Sequence, residues 1–190
     1  MALPAKNQRY TFADVLTWEE NDRIEIINGE PVMMAPPGTA HQLISFEIGR
    51  QLGNYLEGKK CRAIPAPFAV RLFEKDGDSP EDVDTMVEPD ISIVCDPSKL
   101  DKHGCKGAPD MVVEVLSPST QRHDRLVKLA LYQRAGVREY WIVEPETQTV
   151  QVFLQQDGSL HLHEVYDRAG VARVNVLEGC FIELGKVFPE

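Results

Sequence analysis

The chain has 190 residues, which suits one domain with a real core and leaves little room for a second. With 43% hydrophobic, 26% charged and 7% aromatic residues, its composition is globular and excludes the disordered, collagen-like and disulfide-dense classes. The formal net charge of −10 excludes a surface basic enough to hold nucleic acid over its whole area; the deficit is local, since Glu74 to Asp90 contains eight acids and one base, Lys75.

Taken in chain order, Phe12 to Glu20 predicts a short helix, and RIEIINGEPVMM from Arg23 reads as two strands about the turn dipeptide Asn28-Gly29. Thr39 followed by Gln42 predicts a capping box. Ile44, Ile48, Leu52, Tyr55 and Leu56 then recur at helical spacing until Gly58 ends the helix. CRAIPAPFAVRLF from Cys61 suggests one or two strands broken by prolines, and the acidic stretch 74–86 reads as a solvated loop. VEPDISIVC and PDMVVEVL are short, β-branched and apolar on both faces, the pattern of central strands in a helix-covered sheet. A helix from about Gln121 to Ala135 follows, capped by Ser119 or Thr120 and ended by Gly136. With the strand REYWIVEP it makes a right-handed parallel crossover. From Gln148 onward, antiparallel strands about Asp157-Gly158 complete the sheet. The expected class is α/β, a mixed sheet with flanking helices in a single domain over 1–190.

Four cysteines, at 61, 95, 105 and 180, form no C-x-x-C pair and are expected as reduced thiols. The N-terminal residues hold no apolar core of signal-peptide length, and no apolar run approaches the ~18 residues of a membrane span. A cytoplasmic protein without a membrane partner is the expectation.

The anomaly that points to chemistry is Glu114, a carboxylate amid Met111, Val112, Val113, Val115 and Leu116. Burying it there requires a metal, a cationic partner or a proton. Asp90 opens the neighbouring apolar strand directly after Pro89. Side-by-side pairing of the two strands brings both acids to one edge of the sheet, where they can hold a hard divalent cation. Mg²⁺ takes one or two protein carboxylates and completes its shell with water and phosphate oxygens, which suits a phosphodiester substrate. The alternative for each acid is a salt bridge or a strand-end position. Asp110 also follows a proline, but four residues along one strand separate it from Glu114 by ~13 Å, too far for one ion.

The combination of Pro89-Asp90, a glutamate within PDMVVEVLSPST, a following helix and the strand GVREYWIVEP resembles the PD-(D/E)XK nuclease superfamily. More narrowly, RIEIINGE, a histidine at the first long helix, a D-x-x-x-K helix and AGVREYW are similar to the bacterial putative restriction endonuclease family, over about Tyr10 to Phe153. The resemblance implies a restriction-endonuclease-like core with Asp90 and Glu114 as Mg²⁺ ligands, Mn²⁺ substituting, and a lysine that positions or activates water. The lysine slot two residues after Glu114 holds Leu116. Lys128, in the run Asp124 to Lys128, matches the displaced lysine of this family; its alternative is an i,i+4 ion pair with Asp124 on a solvated face. Glu25 matches an early glutamate of such sites, although by its own pattern it is an outward-facing strand charge. His41 matches a family histidine and by itself is a surface residue.

Other features carry less. Asp76, Asp78 and Asp82 lack the glycine of a calcium loop and are interrupted by Pro80. His161 and His163 have no third ligand at a useful spacing and read as edge-strand residues. Basic residues gather as Lys59, Lys60 and Arg62, and as Arg122, Arg125 and Lys128, either as phosphate contacts or as ordinary helix surface. No phosphate-binding glycine loop or G-x-S-x-G occurs. The expectation is a Mg²⁺-dependent endonuclease that hydrolyses DNA by direct water attack, with Asp90, Glu114, Lys128 and Glu25 at its site and a homodimer as its working form. The alternative is a catalytically inactive binding or assembly module on the same fold.

Overall fold

Side-chain alternation decides how the layers assemble, because strands buried on both faces must be covered twice. Residues 8–18, 23–117 and 123–189 are described by the computed structural model. In chain order the elements are α1 (Phe12–Val15), β1 (Ile24–Ile27), β2 (Glu30–Met33), α2 (Thr39–Leu56), β3 (Arg62–Pro65), β4 (Val70–Arg71) and β5 (Ile91–Val94). They continue with β6 (Leu100–Asp101), β7 (Gly104–Lys106), β8 (Met111–Val115), a π-helical stretch (His123–Lys128), α3 (Leu129–Ala135), β9 (Glu139–Glu144), β10 (Thr149–Gln156), β11 (Ser159–Asp167), β12 (Val171–Val174), β13 (Cys180–Glu183) and α4 (Leu184–Val187).

The main sheet has six strands in the order β11-β10-β9-β8-β5-β3. β8 and β9 run parallel across the crossover through α3, and every other pair in this sheet is antiparallel. The mixed α/β architecture is therefore the expected one. One face of β8, Met111, Val113 and Val115, packs with Ile91 and Ile93 under Ile44, Ile48, Leu52 and Leu56 of α2. The other face, Val112 and Leu116, packs with Val94, Tyr140 and Ile142 under Leu131 and Tyr132 of α3. Two hydrophobic layers thus clamp the strand that carries Glu114.

Turn chemistry follows the sequence closely. Asn28-Gly29 and Asp157-Gly158 take positive φ at both residues, which allows the tight reversals between β1 and β2 and between β10 and β11. Gly136, with φ 83°, closes α3 in the left-handed conformation. The start of that helix differs from expectation: α-helix begins only at Leu129, after the π-helical stretch, while the proposed caps Ser119 and Thr120 lie outside the described residues. Thr39 does not cap α2 through its side chain either. Gly38 is the N-cap, and Thr39 is already the first helical residue. The C-terminal strands divide, since β12 and β13 form their own antiparallel pair and do not extend the main sheet.

The expectation of reduced thiols fails for two of the four cysteines. Cys61 and Cys95 form a disulfide. Its cause is register: Arg62 pairs with Val94 across the antiparallel strands β3 and β5, so one step further places Cys61 opposite Cys95. Sequence separation hid this neighbourhood. Cys105 and Cys180 are free, as expected, and both are buried. Among the described residues no helix is long and apolar enough to cross a membrane.

Candidate active site

The predicted acids converge on one end of β8. Ile91 pairs with Val113 in the antiparallel register of β5 and β8, so the next step sets Asp90 across from Glu114. Asp90 Oδ2 accepts a hydrogen bond of 2.7 Å from the backbone N–H of Val115, the residue after Glu114. Asp90 immediately precedes β5. It meets His41 Nε2 of α2 at 3.2 Å.

Glu114 points into the layer beneath α3. Its Oε1 lies 2.9 Å from Lys128 Nζ and accepts a hydrogen bond of 2.6 Å from the Tyr132 hydroxyl. Lys128 ends the π-helical stretch and Tyr132 lies four residues on, so helical spacing puts both on one face toward the strand. The same ammonium is 2.9 Å from Glu25 Oε1. The oxygens of Glu25 and Glu114 are therefore no farther apart than twice that contact. Glu25 comes from β1 and also accepts from the Glu88 backbone N–H at 2.9 Å.

Burial corrects two readings made from the residues alone. Glu25 is 2% exposed, so it is no outward-facing strand charge, and Lys128 is 3% exposed, so it does not belong to a solvated helix face. Two buried carboxylates meet one ammonium here. Such a cluster has charge and hard-oxygen chemistry suited to a further cation. Among the described residues no group of three or more His, Cys, Asp and Glu side chains is arranged to hold a metal ion. The set fits an ion that takes two protein carboxylates and leaves the rest of its shell to water and substrate.

A cleft of about 570 Å³ opens beside the cluster, lined by Arg23, His41, Phe46, Glu88 and Asp90 among others. Glu88, within 3.6 Å of Arg23, joins the cleft to the buried acids. Burial raises its carboxyl above the ordinary range; Arg23 opposes the rise, Glu25 adds to it and Lys128 also opposes it. Tyr132 is held well above its ordinary value, first by burial and then by the charges of Glu114 and Glu25, so it stays a neutral donor.

Tyr132, Glu88 and Arg23 were not anticipated from the sequence. Tyr132 was recoverable, because a buried lysine on a helix shares its face with the residue four later; Glu88 and Arg23 carry no local pattern. Leu116 is buried in the layer beneath α3, so the strand position where the superfamily pattern has lysine holds hydrocarbon. Other candidates go elsewhere. Asp110 accepts from the Cys95 N–H at 2.8 Å and pairs with Arg138 at 3.1 Å, a structural role at the opposite end of β8. Arg62 donates to the carbonyls of Lys59, Lys60 and Cys61, holding the chain just past α2. His161 and His163 are exposed on the edge strand β11, as expected. The side chains of Arg122, Asp124 and Arg125 lie outside the described residues.

Comparison with known proteins bears on the fold and the family. A protein of Synechocystis sp. (strain ATCC 27184 / PCC 6803 / Kazusa), described as uncharacterized protein slr1290, is 26% identical over 147 residues, covering 76% of this chain and 73% of its own. A crystal structure from Anabaena variabilis ATCC 29413, described as a putative nuclease, superimposes with a TM-score of 0.73 at 20% identity, covering 94% of this chain and 97% of that one, and shares its fold. Residues 12–185 match the Uma2 family, described as putative restriction endonuclease, and the chain belongs to that family.

Proposed function

We propose that the chain is a Mg²⁺-dependent endonuclease that hydrolyses phosphodiester bonds of DNA. The observation that carries this reading is the buried Lys128 ammonium held at 2.9 Å by both Glu25 and Glu114, with Asp90 across from Glu114 in the strand register and lining a cleft. Family membership supports a nuclease.

In this reading Asp90 and Glu114 hold the ion, and Mn²⁺ substitutes for Mg²⁺. When bound, the ion acidifies water and offsets charge on the phosphate. The residues of the chain do the positioning. Val115 N–H and His41 fix Asp90, and Tyr132 and Lys128 fix Glu114. Lys128 orients the attacking water and places a fixed positive charge near the oxygens that gain negative charge as the bond breaks. Glu25 holds the ammonium in position. A homodimer would present two such sites related by symmetry.

The same contacts favour a second reading, a non-catalytic module, because Glu25 and Glu114 already have a cationic partner and Leu116 stands in the usual lysine position. Plasmid nicking with Mg²⁺ or Mn²⁺ separates the two. Wild type nicks, whereas Asp90→Ala and Glu114→Ala lose at least about two orders of magnitude in rate. Equal nicking by all three rejects the assignment. An intact fold that binds no Mn²⁺ at millimolar concentration favours the module.

A further inference from the structure

We infer that the substrate strand is unpaired where it enters the cleft, and that Phe46 is the platform on which one of its bases stacks. The inference rests on the nuclease reading for its reaction but on separate observations for its binding. Phe46 lies on α2, lines the cleft together with His41 and Asp90, and leaves 70% of its surface exposed. A phenylalanine left so exposed gains little from folding and is available to a planar partner.

Electrostatics argues for the same substrate. Among the described residues the arginines lining the cleft are Arg23 and Arg50, which pair with Glu88 at 3.6 Å and Glu47 at 2.6 Å. Lys128 is buried. Among the described residues, so few cleft cations neutralise few phosphates. Counterion release, the main source of duplex affinity, is correspondingly small. Binding must then draw on another source, and aromatic stacking supplies it for unpaired strands. In a duplex the base faces are covered by their neighbours and cannot reach a ring on a helix. An unpaired nucleotide can lay its base on Phe46 while its phosphate approaches Asp90 in the same cleft.

The test is equilibrium binding of a fluorescent single-stranded oligonucleotide and of its duplex in EDTA, to wild type, Phe46→Ala and Phe46→Trp. The expected result is tighter binding of the single strand than of the duplex by wild type. Phe46→Ala weakens the single strand by roughly 5- to 150-fold, the equivalent of one stacked base, and leaves the duplex unchanged. Phe46→Trp restores the wild-type value. Equal or tighter duplex binding, no binding of either, an equal loss on both, or no effect of Phe46→Ala overturns the inference. So does a Phe46→Ala change that alters sedimentation and not oligonucleotide binding, which would assign the ring to a protein interface. A circular dichroism spectrum identical to wild type verifies the fold of each variant. Cleavage in Mg²⁺ distinguishes the two claims: stacking without cleavage leaves the inference and removes the nuclease reading, and cleavage of duplex alone does the reverse.

Discussion

Lys128 and Glu114 meet at 2.9 Å in the interior, although one ends a π-helical stretch and the other lies in the strand before it. π-helical turns recur at functional sites because the wider turn re-aims a side chain. Here the lysine is aimed at a strand face that would otherwise carry an uncompensated charge.

Removing that ammonium should therefore cost more than a surface pair would. Lys128→Met is expected to lower stability by roughly 3–5 kcal/mol, since Glu25 and Glu114 remain buried and adjacent without their cation. Adding Glu25→Gln to this variant should recover part of the loss. Urea unfolding of the single and double variants measures both, and an unchanged midpoint in Lys128→Met contradicts the buried pair.

Tyr132→Phe keeps the ring and removes one donor to a carboxylate. The expected cost is roughly 1.5–3 kcal/mol, the range for a hydrogen bond to a charged group. Equilibrium unfolding should show it with an unaltered circular dichroism spectrum. A loss below about 0.5 kcal/mol would mean that Glu114 does not depend on this hydroxyl.

The cysteines give a chemical readout of the fold. Burial raises the thiols of Cys105 and Cys180 to about 11, so at pH 8 both are protonated and enclosed. Their raised values give a stabilising contribution that is complete below the ordinary value of 9.0 and is lost as pH rises through about 11. Titration with a thiol reagent should find almost no fast-reacting group in the native protein, two after unfolding, and four after unfolding with reductant. Two fast native thiols would contradict the Cys61–Cys95 bond. Replacing both Cys61 and Cys95 by serine should cost roughly 2–4 kcal/mol.

Local pattern revealed a great deal of this molecule. The hairpin at Asn28-Gly29, the left-handed end at Gly136 and the apolar strands β5 and β8 were all legible, because each is dictated by a few neighbouring residues. Glu114 stood out as a carboxylate in a hydrocarbon strand for the same reason. What local pattern could not reveal was pairing across the chain. Cys61 meets Cys95 only through strand register, and Glu25 is buried where Lys128 and the Glu88 N–H come to it from distant parts of the chain. Alternation alone put Glu25 on the outside; the resemblance put it at the site, and the side chain is buried against Lys128. Thr39 failed as a cap because Gly38 already supplied the extended residue from which α2 starts.

The central claim is that Asp90 and Glu114 together hold a divalent ion beside Lys128. A crystal structure of the wild-type protein in Mn²⁺ tests it most directly, using anomalous scattering to locate the ion. The account predicts one Mn²⁺ within coordination distance, about 2–2.5 Å, of an oxygen from each of Asp90 and Glu114, with the Lys128 ammonium facing its water shell. A crystal saturated in Mn²⁺ that shows Glu114 still bonded only to Lys128 and Tyr132, with no ion at Asp90, would contradict it.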